Sequence, residues 1–254
     1  MSRPVALVTG SGKRRVGWQV AQELARRGYD LAVHYHRSAT EAAETVRGLA
    51  EFGGQAKAFQ ADLADDTSAA ELVAAVLAHF GRIDVLVNCA AIWESKRLED
   101  VTADDVLRHF RINTLGTFLC AQHCGLAMVK QPAGGCIVNI GDWAEARPYL
   151  NYAAYFPSKG GVTTMTRSLA VEFASRNPRV RVNAVLPGPV MLPPDMNPAE
   201  RQRAIDGTLV KREGSPEHVA RAVWSLIEND FITGVCLPVD GGRTICSPDA
   251  DNPS

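Results

Sequence analysis

Seven short apolar runs, separated by stretches of helical period, constrain this chain more than any other feature. The runs fall at 4–9, 30–35, 55–60, 83–88, 135–140, 179–186 and 235–239; the helical stretches are 16–27, 40–51, 68–79, 103–129, 152–175 and 216–228. Strands that are apolar nearly throughout are buried on both faces, and regular alternation with helices gives a parallel sheet covered on both sides. Gly28 is placed to stop the first helix, Thr102 and Ser215 to cap later ones. Pro157 falls in the first turns of its helix, where a missing N–H matters least. No linker, repeat or low-complexity segment divides the 254 residues, of which 46% are hydrophobic, so one domain spanning 1–254 is expected.

The first apolar run leads directly into "TGSGKRRVG", a turn from strand to helix. Backbone N–H groups and the helix dipole attract phosphate at such a turn. Gly10, Gly12 and Gly17 would let the backbone approach a ligand closely. The second run ends in "HYHRS", which offers His36, Arg37 and Ser38 and no carboxylate. NAD sites place an acid there for the ribose hydroxyls. A guanidinium instead suits the 2′-phosphate of NADP, and Arg14 adds a second cation. NADP, as NADPH, is the expected cofactor.

Tyr155 and Lys159 stand four residues apart in "YFPSK", with Asp142 upstream. On a helix this spacing puts phenol and ammonium on one face. A nearby cation favours phenolate and lowers the tyrosine pKa toward the range useful for proton transfer.

Together these motifs, with "ADL" at Asp62, "VLVNCAA" at 85–91, Asn113 in "RINTLGTF", "RVNAVLPGPV" at 181–190 and "TGVCLPVDGG" near the end, resemble the short-chain dehydrogenase/reductase family over almost the whole chain. The resemblance implies a Rossmann-type doubly wound α/β fold with a seven-stranded parallel sheet and helices on both faces. It implies that Asp62 and Leu63 flank the adenine, Asn88 and Ala90 the ribose, and that Pro187 and Gly188 wall the nicotinamide. Lys159 would hold the ribose and lower the Tyr155 pKa, Tyr155 would give the proton, and Asn113 would order a water. Two departures stand out: Arg14 occupies the middle glycine's place and Gly17 comes one residue late. Where most members carry serine, this chain has Asp142. That aspartate, "HYHRSA" at 34–39 and Trp93 resemble the pteridine reductase branch.

Asp142 discriminates between substrates. An ionised carboxylate only accepts hydrogen bonds, so it opposes an oxyanion growing on a ketone and suits a substrate presenting N–H donors. A pterin has such an edge and C=N bonds that take hydride on carbon. Trp93, and Trp143 beside Asp142, would stack on a flat ring for about 1 kcal/mol beyond burial. Residues 189–212, rich in proline and charge, read as an irregular substrate loop whose Met191, Leu192 and Met196 close over a ring. The reading is therefore an NADPH-dependent reductase of a dihydrobiopterin- or dihydrofolate-like pteridine. The alternatives are a carbonyl reductase, for example of 3-oxoacyl thioesters, and a non-catalytic NADP-binding sensor.

A formal net charge of -1 gives no field that favours nucleic acid or an anionic membrane, and no apolar run approaches a membrane span. Without a signal-like N-terminus the expected location is cytoplasmic. The six scattered cysteines form no CxxC pair, so neither a disulfide framework nor a metal site is expected. Residues 244–254 read as a polar tail with nothing to pack against. The resemblance implies a homotetramer, in which that tail reaches a neighbour.

Overall fold

The structure, a computed structural model, describes residues 3–246. Within these residues the seven strands are β1 (Val5–Thr9), β2 (Asp30–Tyr35), β3 (Ala56–Gln60), β4 (Val85–Asn88), β5 (Gly135–Ile140), β6 (Val180–Pro187) and β7 (Cys236–Val239). They form one parallel sheet in the order β3-β2-β1-β4-β5-β6-β7. The winding direction reverses between β1 and β4. Ligand crevices in such sheets open beyond the carboxyl ends of the strands at that reversal.

The helices are α1 (Val16–Arg26), α2 (Ala39–Ala50), α3 (Ser68–Phe80), α4 (Ala103–His109), α5 (Gly116–Val129), α6 (Phe156–Ala174), α7 (Pro198–Asp206) and α8 (Pro216–Glu228), of which α1, α2, α3, α5, α6 and α8 pack on the sheet. Successive strand residues serve opposite faces. Leu7 and Leu86 join Val73, Cys120, Cys124 and Phe173 in one core. Val8 and Val85 join Val20, Leu24, Val219 and Leu226 in the other. Gly28 at φ 88° ends α1, and Thr102 and Ser215 each close a capping box. Arg181 is buried at the start of β6. Its guanidinium donates to the carbonyls of Leu226 and Ile227 at the end of α8 and of Ile232 beyond it, at 2.7–2.9 Å.

Four expectations need correction. The helix expected over 103–129 is split by a wide π-helical turn, Phe110–Leu115. Within it the Asn113 side chain leaves the helix to bond Ile92, as described below. The helix expected from 152 starts at Phe156, because 152–155 form a turn that precedes it. The loop 189–212 contains α7, whose N-cap Asn197 accepts from Ala199 N and whose first residue is Pro198. Finally, the start of the presumed tail is packed. Asp240 accepts from Thr244 N at 2.7 Å and Thr244 Oγ1 at 2.6 Å, and Cys246 is buried. Residues 247–254 lie outside the described residues.

Candidate active site

At the carboxyl end of β1 the backbone turns at Gly10, φ 66°. A Cβ there would sit 2.8 Å from Ala90 Cα, and one on Gly17 2.8 Å from Gly10 O. A Cβ on Gly12 would meet Tyr35 Cβ at 2.8 Å. These glycines therefore let the turn nest against Tyr35, Cys89 and Ala90. Among the described residues, the backbone N–H groups of Gly12, Lys13 and Arg14 donate to no protein acceptor. An anion's oxygens fit such donors at the start of a helix.

His36 and Arg37 are exposed at the end of β2, and Ser38 precedes α2. Arg14 lies over the Trp18 ring at 5.4 Å. Lys13 pairs with Glu41 at 3.6 Å, and His36 faces Asp62 at 3.4 Å. Leu63 is buried beside them. Thr9 Oγ1 accepts from Cys89 N at 3.0 Å and Ala90 N at 3.1 Å, and Asn88 Nδ2 donates to Asn139 Oδ1 at 2.9 Å. Pro187 ends β6, where Gly188 N donates to Val239 O at 3.0 Å. The donor set thus fits a dinucleotide: free amides at the turn, and His36, Arg37 and Ser38 with no acidic residue among them at the end of β2.

The second half of the site converges on Tyr155, the residue immediately before α6. Lys159 N donates to Tyr155 O at 3.3 Å, so the four-residue spacing still spans one helical turn. The Tyr155 hydroxyl donates to Asp142 Oδ2 at 2.7 Å, and Ala144 N donates to Asp142 Oδ1 at 2.9 Å. The Lys159 ammonium is buried and donates to Ile140 O at 2.9 Å. Asn113 is locked: its Oδ1 accepts from Ile92 N at 2.8 Å, and its Nδ2 donates to Ile92 O and Ser158 Oγ at 3.0 Å each.

Electrostatics reverse one expectation. Burial pushes the Tyr155 phenol well above its ordinary range, and the adjacent Asp142 charge and hydrogen bond push it the same way. In this state the anion at 2.7 Å outweighs any stabilisation of phenolate by Lys159. Burial also raises the Asp142 carboxyl, against its bonds to Tyr155 and Ala144, and lowers Lys159, against the attraction of Asp142. Burial pushes Glu145, three residues after Asp142, up to about 7.

Rings line the mouth. Trp93, 44% exposed, stacks on Tyr152 at 4.9 Å and 13°, and its Nε1 donates to Tyr149 OH at 3.1 Å. One indole face is therefore already covered, whereas the sequence suggested a face awaiting substrate. Trp143 stacks on Tyr149 at 6.4 Å, under the Arg243 guanidinium at 4.8 Å. Met191 is exposed at the start of the loop that carries α7, while Leu192 N donates to Glu213 Oε1 at 3.1 Å.

Sequence reasoning missed His34, His109, Glu145, Tyr149 and Tyr152. His109 is buried edge-on to the Tyr155 ring at 6.1 Å, and its Nε2 has no protein partner. The density of rings in "YLNYAAYF" signals the tyrosines, whereas nothing in the sequence singles out the buried histidines. Cys89, Cys120, Cys124, Cys136 and Cys236 form no disulfide, and no His/Cys/Asp/Glu group among the described residues is arranged to hold a metal. Among those residues no helix is long and apolar enough to cross a membrane.

A family profile described as enoyl-(acyl carrier protein) reductase matches residues 11–244. The chain is 31% identical to glucose 1-dehydrogenase 2 of Bacillus subtilis, over 94% of each. Among solved structures it is similar to acetoin dehydrogenase from Enterobacter cloacae, with TM-score 0.87 and 33% identity over 97% of this chain and 98% of that one. It is also similar to a blue fluorescent protein from a metagenomic library in complex with NADPH, with TM-score 0.85 and 35% identity over 94% and 97% of the two chains. None of these is described as acting on a pteridine.

Proposed function

Because the chain belongs to the short-chain dehydrogenase/reductase family of oxidoreductases, we propose that it is an NADPH-dependent reductase of a carbonyl carried on or beside a planar ring. The observation that carries this reading is the Tyr155 hydroxyl bonded to Asp142 at 2.7 Å, with buried Lys159 one helical turn on. Bound NADPH supplies a hydride to the carbonyl carbon. Gly12, Lys13 and Arg14 amides would hold its diphosphate, with Arg37, Ser38 and Arg14 at the 2′-phosphate. Asp62 and Leu63 would flank the adenine, Asn88, Ala90 and Lys159 the riboses, and Pro187 and Gly188 the nicotinamide.

Tyr155 turns its O–H from Asp142 to the substrate oxygen and delivers the proton there. Asp142 limits this step while ionised, because it repels the oxyanion. Burial raises the Asp142 carboxyl, against its bonds to Tyr155 and Ala144, and a protonated Asp142 would donate to the oxygen as a hydroxyl would. Trp93, Tyr149, Tyr152 and Trp143 offer ring faces, and Met191 enters from the loop. The dehydrogenases of glucose and acetoin among the similar proteins support oxygen-centred chemistry.

Reduction of a pteridine is the second reading. Asp142 itself favours it, since an ionised carboxylate accepts from the ring's N–H groups. NADPH oxidation should be measured with a bicyclic aryl ketone, a 3-oxoacyl thioester, acetoin and dihydrobiopterin. Saturable turnover of the aryl ketone supports the first reading, and turnover of dihydrobiopterin alone overturns it for the second. Cofactor binding without oxidation of NADPH in any mixture returns the non-catalytic reading. A cytoplasmic homo-oligomer is the expected setting, supported by exposed Leu107, Phe110 and Leu126 around α4 and α5.

A further inference from the structure

His34 lies in the middle of β2, 3% exposed, and both of its ring nitrogens are engaged. Gly10 N donates to Nδ1 at 3.0 Å, and Nε2 lies 3.1 Å from Ala61 O. A backbone N–H only donates and a carbonyl only accepts. The ring is therefore neutral, with its hydrogen on Nε2 and a lone pair on Nδ1. No other protonation state satisfies both contacts, since an imidazolium would set a second N–H against Gly10.

The two contacts join two segments, the turn after β1 and the stretch after β3. Gly10 begins the turn whose free amides would hold a diphosphate in the NADP reading. Ala61 immediately precedes Asp62 and Leu63, and its own N donates to Tyr35 O at 3.1 Å. We propose that His34 is a positioning residue for the cofactor, a neutral imidazole strut that sets the diphosphate turn and the adenine wall at a fixed separation. It touches neither group itself. The same turn has a second tie to this strand, Ser11 N to His34 O at 3.1 Å. Removing the ring therefore loosens the turn without releasing it. The titratable groups acting on the ring are His36 just past its own strand and Asp62 beyond β3.

This inference rests on the NADP reading, and the test separates the two. The dissociation constant of NADP⁺ is measured by calorimetry for wild type, His34→Val and His34→Asn, with kcat at saturating NADPH and thermal unfolding for each. Wild type that binds no NADP⁺ sinks the cofactor reading before any variant is compared. The expected result is at least a tenfold rise in the dissociation constant for His34→Val, with kcat within twofold of wild type. His34→Asn, whose Oδ1 can accept from Gly10 N, should recover affinity to within threefold. Equal affinity of His34→Val and wild type overturns the proposal, as does His34→Asn binding no better than His34→Val. Should His34→Val fail to fold, the ring ¹⁵N shifts of wild type decide. A lone pair on Nδ1 that persists when NADP⁺ binds supports the strut, and a proton on Nδ1 refutes it.

Discussion

Replacing Asp142 by asparagine removes the charge that opposes ionisation of Tyr155 and changes little else. Asparagine Oδ1 still accepts from Ala144 N, so the turn Trp143–Glu145 should persist and the variant should fold. The Tyr155 hydroxyl and the carboxylate are 2.7 Å apart, with the phenolate and carboxylate charges centred farther apart. Two unit charges about 4 Å apart at an effective dielectric constant of about 20 interact by about 4 kcal/mol. Removing one should ease ionisation of the phenol by up to about a thousandfold. Reduction needs a protonated Tyr155, so activity falls as pH rises through the tyrosine pKa. In wild type that limb lies beyond the usual alkaline range, because burial and Asp142 both raise the pKa. Burial, the larger cause, remains, so any descending limb in the pH profile of kcat/KM for the aryl ketone should begin at lower pH in Asp142→Asn than in wild type. The variant's plateau should stay within about tenfold of wild type, since the neutral amide removes the repulsion of the oxyanion while costing the Tyr155 bond about 1.5 kcal/mol. A phenol that ionises no more readily in Asp142→Asn than in wild type, read from tyrosinate absorbance on raising the pH, would refute the electrostatic account of Asp142.

Arg181→Met leaves the carbonyls of Leu226, Ile227 and Ile232 without their donor, and bonds to a charged group contribute about 1.5–3 kcal/mol each, non-additively. A loss of about 3 kcal/mol, or roughly 10 °C in Tm, is expected by calorimetry. Stability should also fall on acidification. Burial lowers the His34 pKa from 6.5 to about 4, so as pH drops from 6.5 the unfolded chain takes up a proton that the native ring refuses. The loss, complete near pH 4, is about 3 kcal/mol, and urea titrations of His34→Asn should lack it. Trp93→Ala removes the stack on Tyr152, and stacking beyond burial is about 1 kcal/mol. The KM for the aryl ketone should rise at least about fivefold, while that for acetoin stays unchanged.

The sheet was legible because its inner strands are buried on both faces, so apolar runs such as Val5–Val8 or Val85–Val87 mark them. Helix ends were legible where a side chain closes them, as at Thr102 and Ser215. The break after α4 was not, since it is driven by Asn113 reaching Ile92, twenty-one residues away in sequence. Helix α7 was hidden by its polar composition and by the prolines before it. In the site, spacing pointed to Tyr155 and Lys159 and the family resemblance to Asp142, but the sign of the tyrosine's perturbation depends on a side-chain contact that neither encodes. His34 looked like an interior strand residue because its partners are backbone atoms of other segments. The pteridine likeness rested on Asp142, Trp93 and the "HYHRSA" segment. Trp93 stacks one face on Tyr152 and remains partly exposed, and the relatives named above are dehydrogenases of glucose and acetoin.

The wide turn at Phe110–Leu115 also governs how the length of this chain can vary. Each helical residue advances the side chains by about 100°, so one residue gained or lost there rotates every position downstream by that angle. Cys120, Cys124 and Met128 would swing off the sheet, and exposed Leu126 would swing with them. A one-residue deletion in this segment would thus act at a distance, scrambling an inner layer ten residues away. The polar bend between α2 and β3 absorbs the same deletion as a local change of loop. Natural variation in length should therefore collect at such bends and avoid the segment around Asn113.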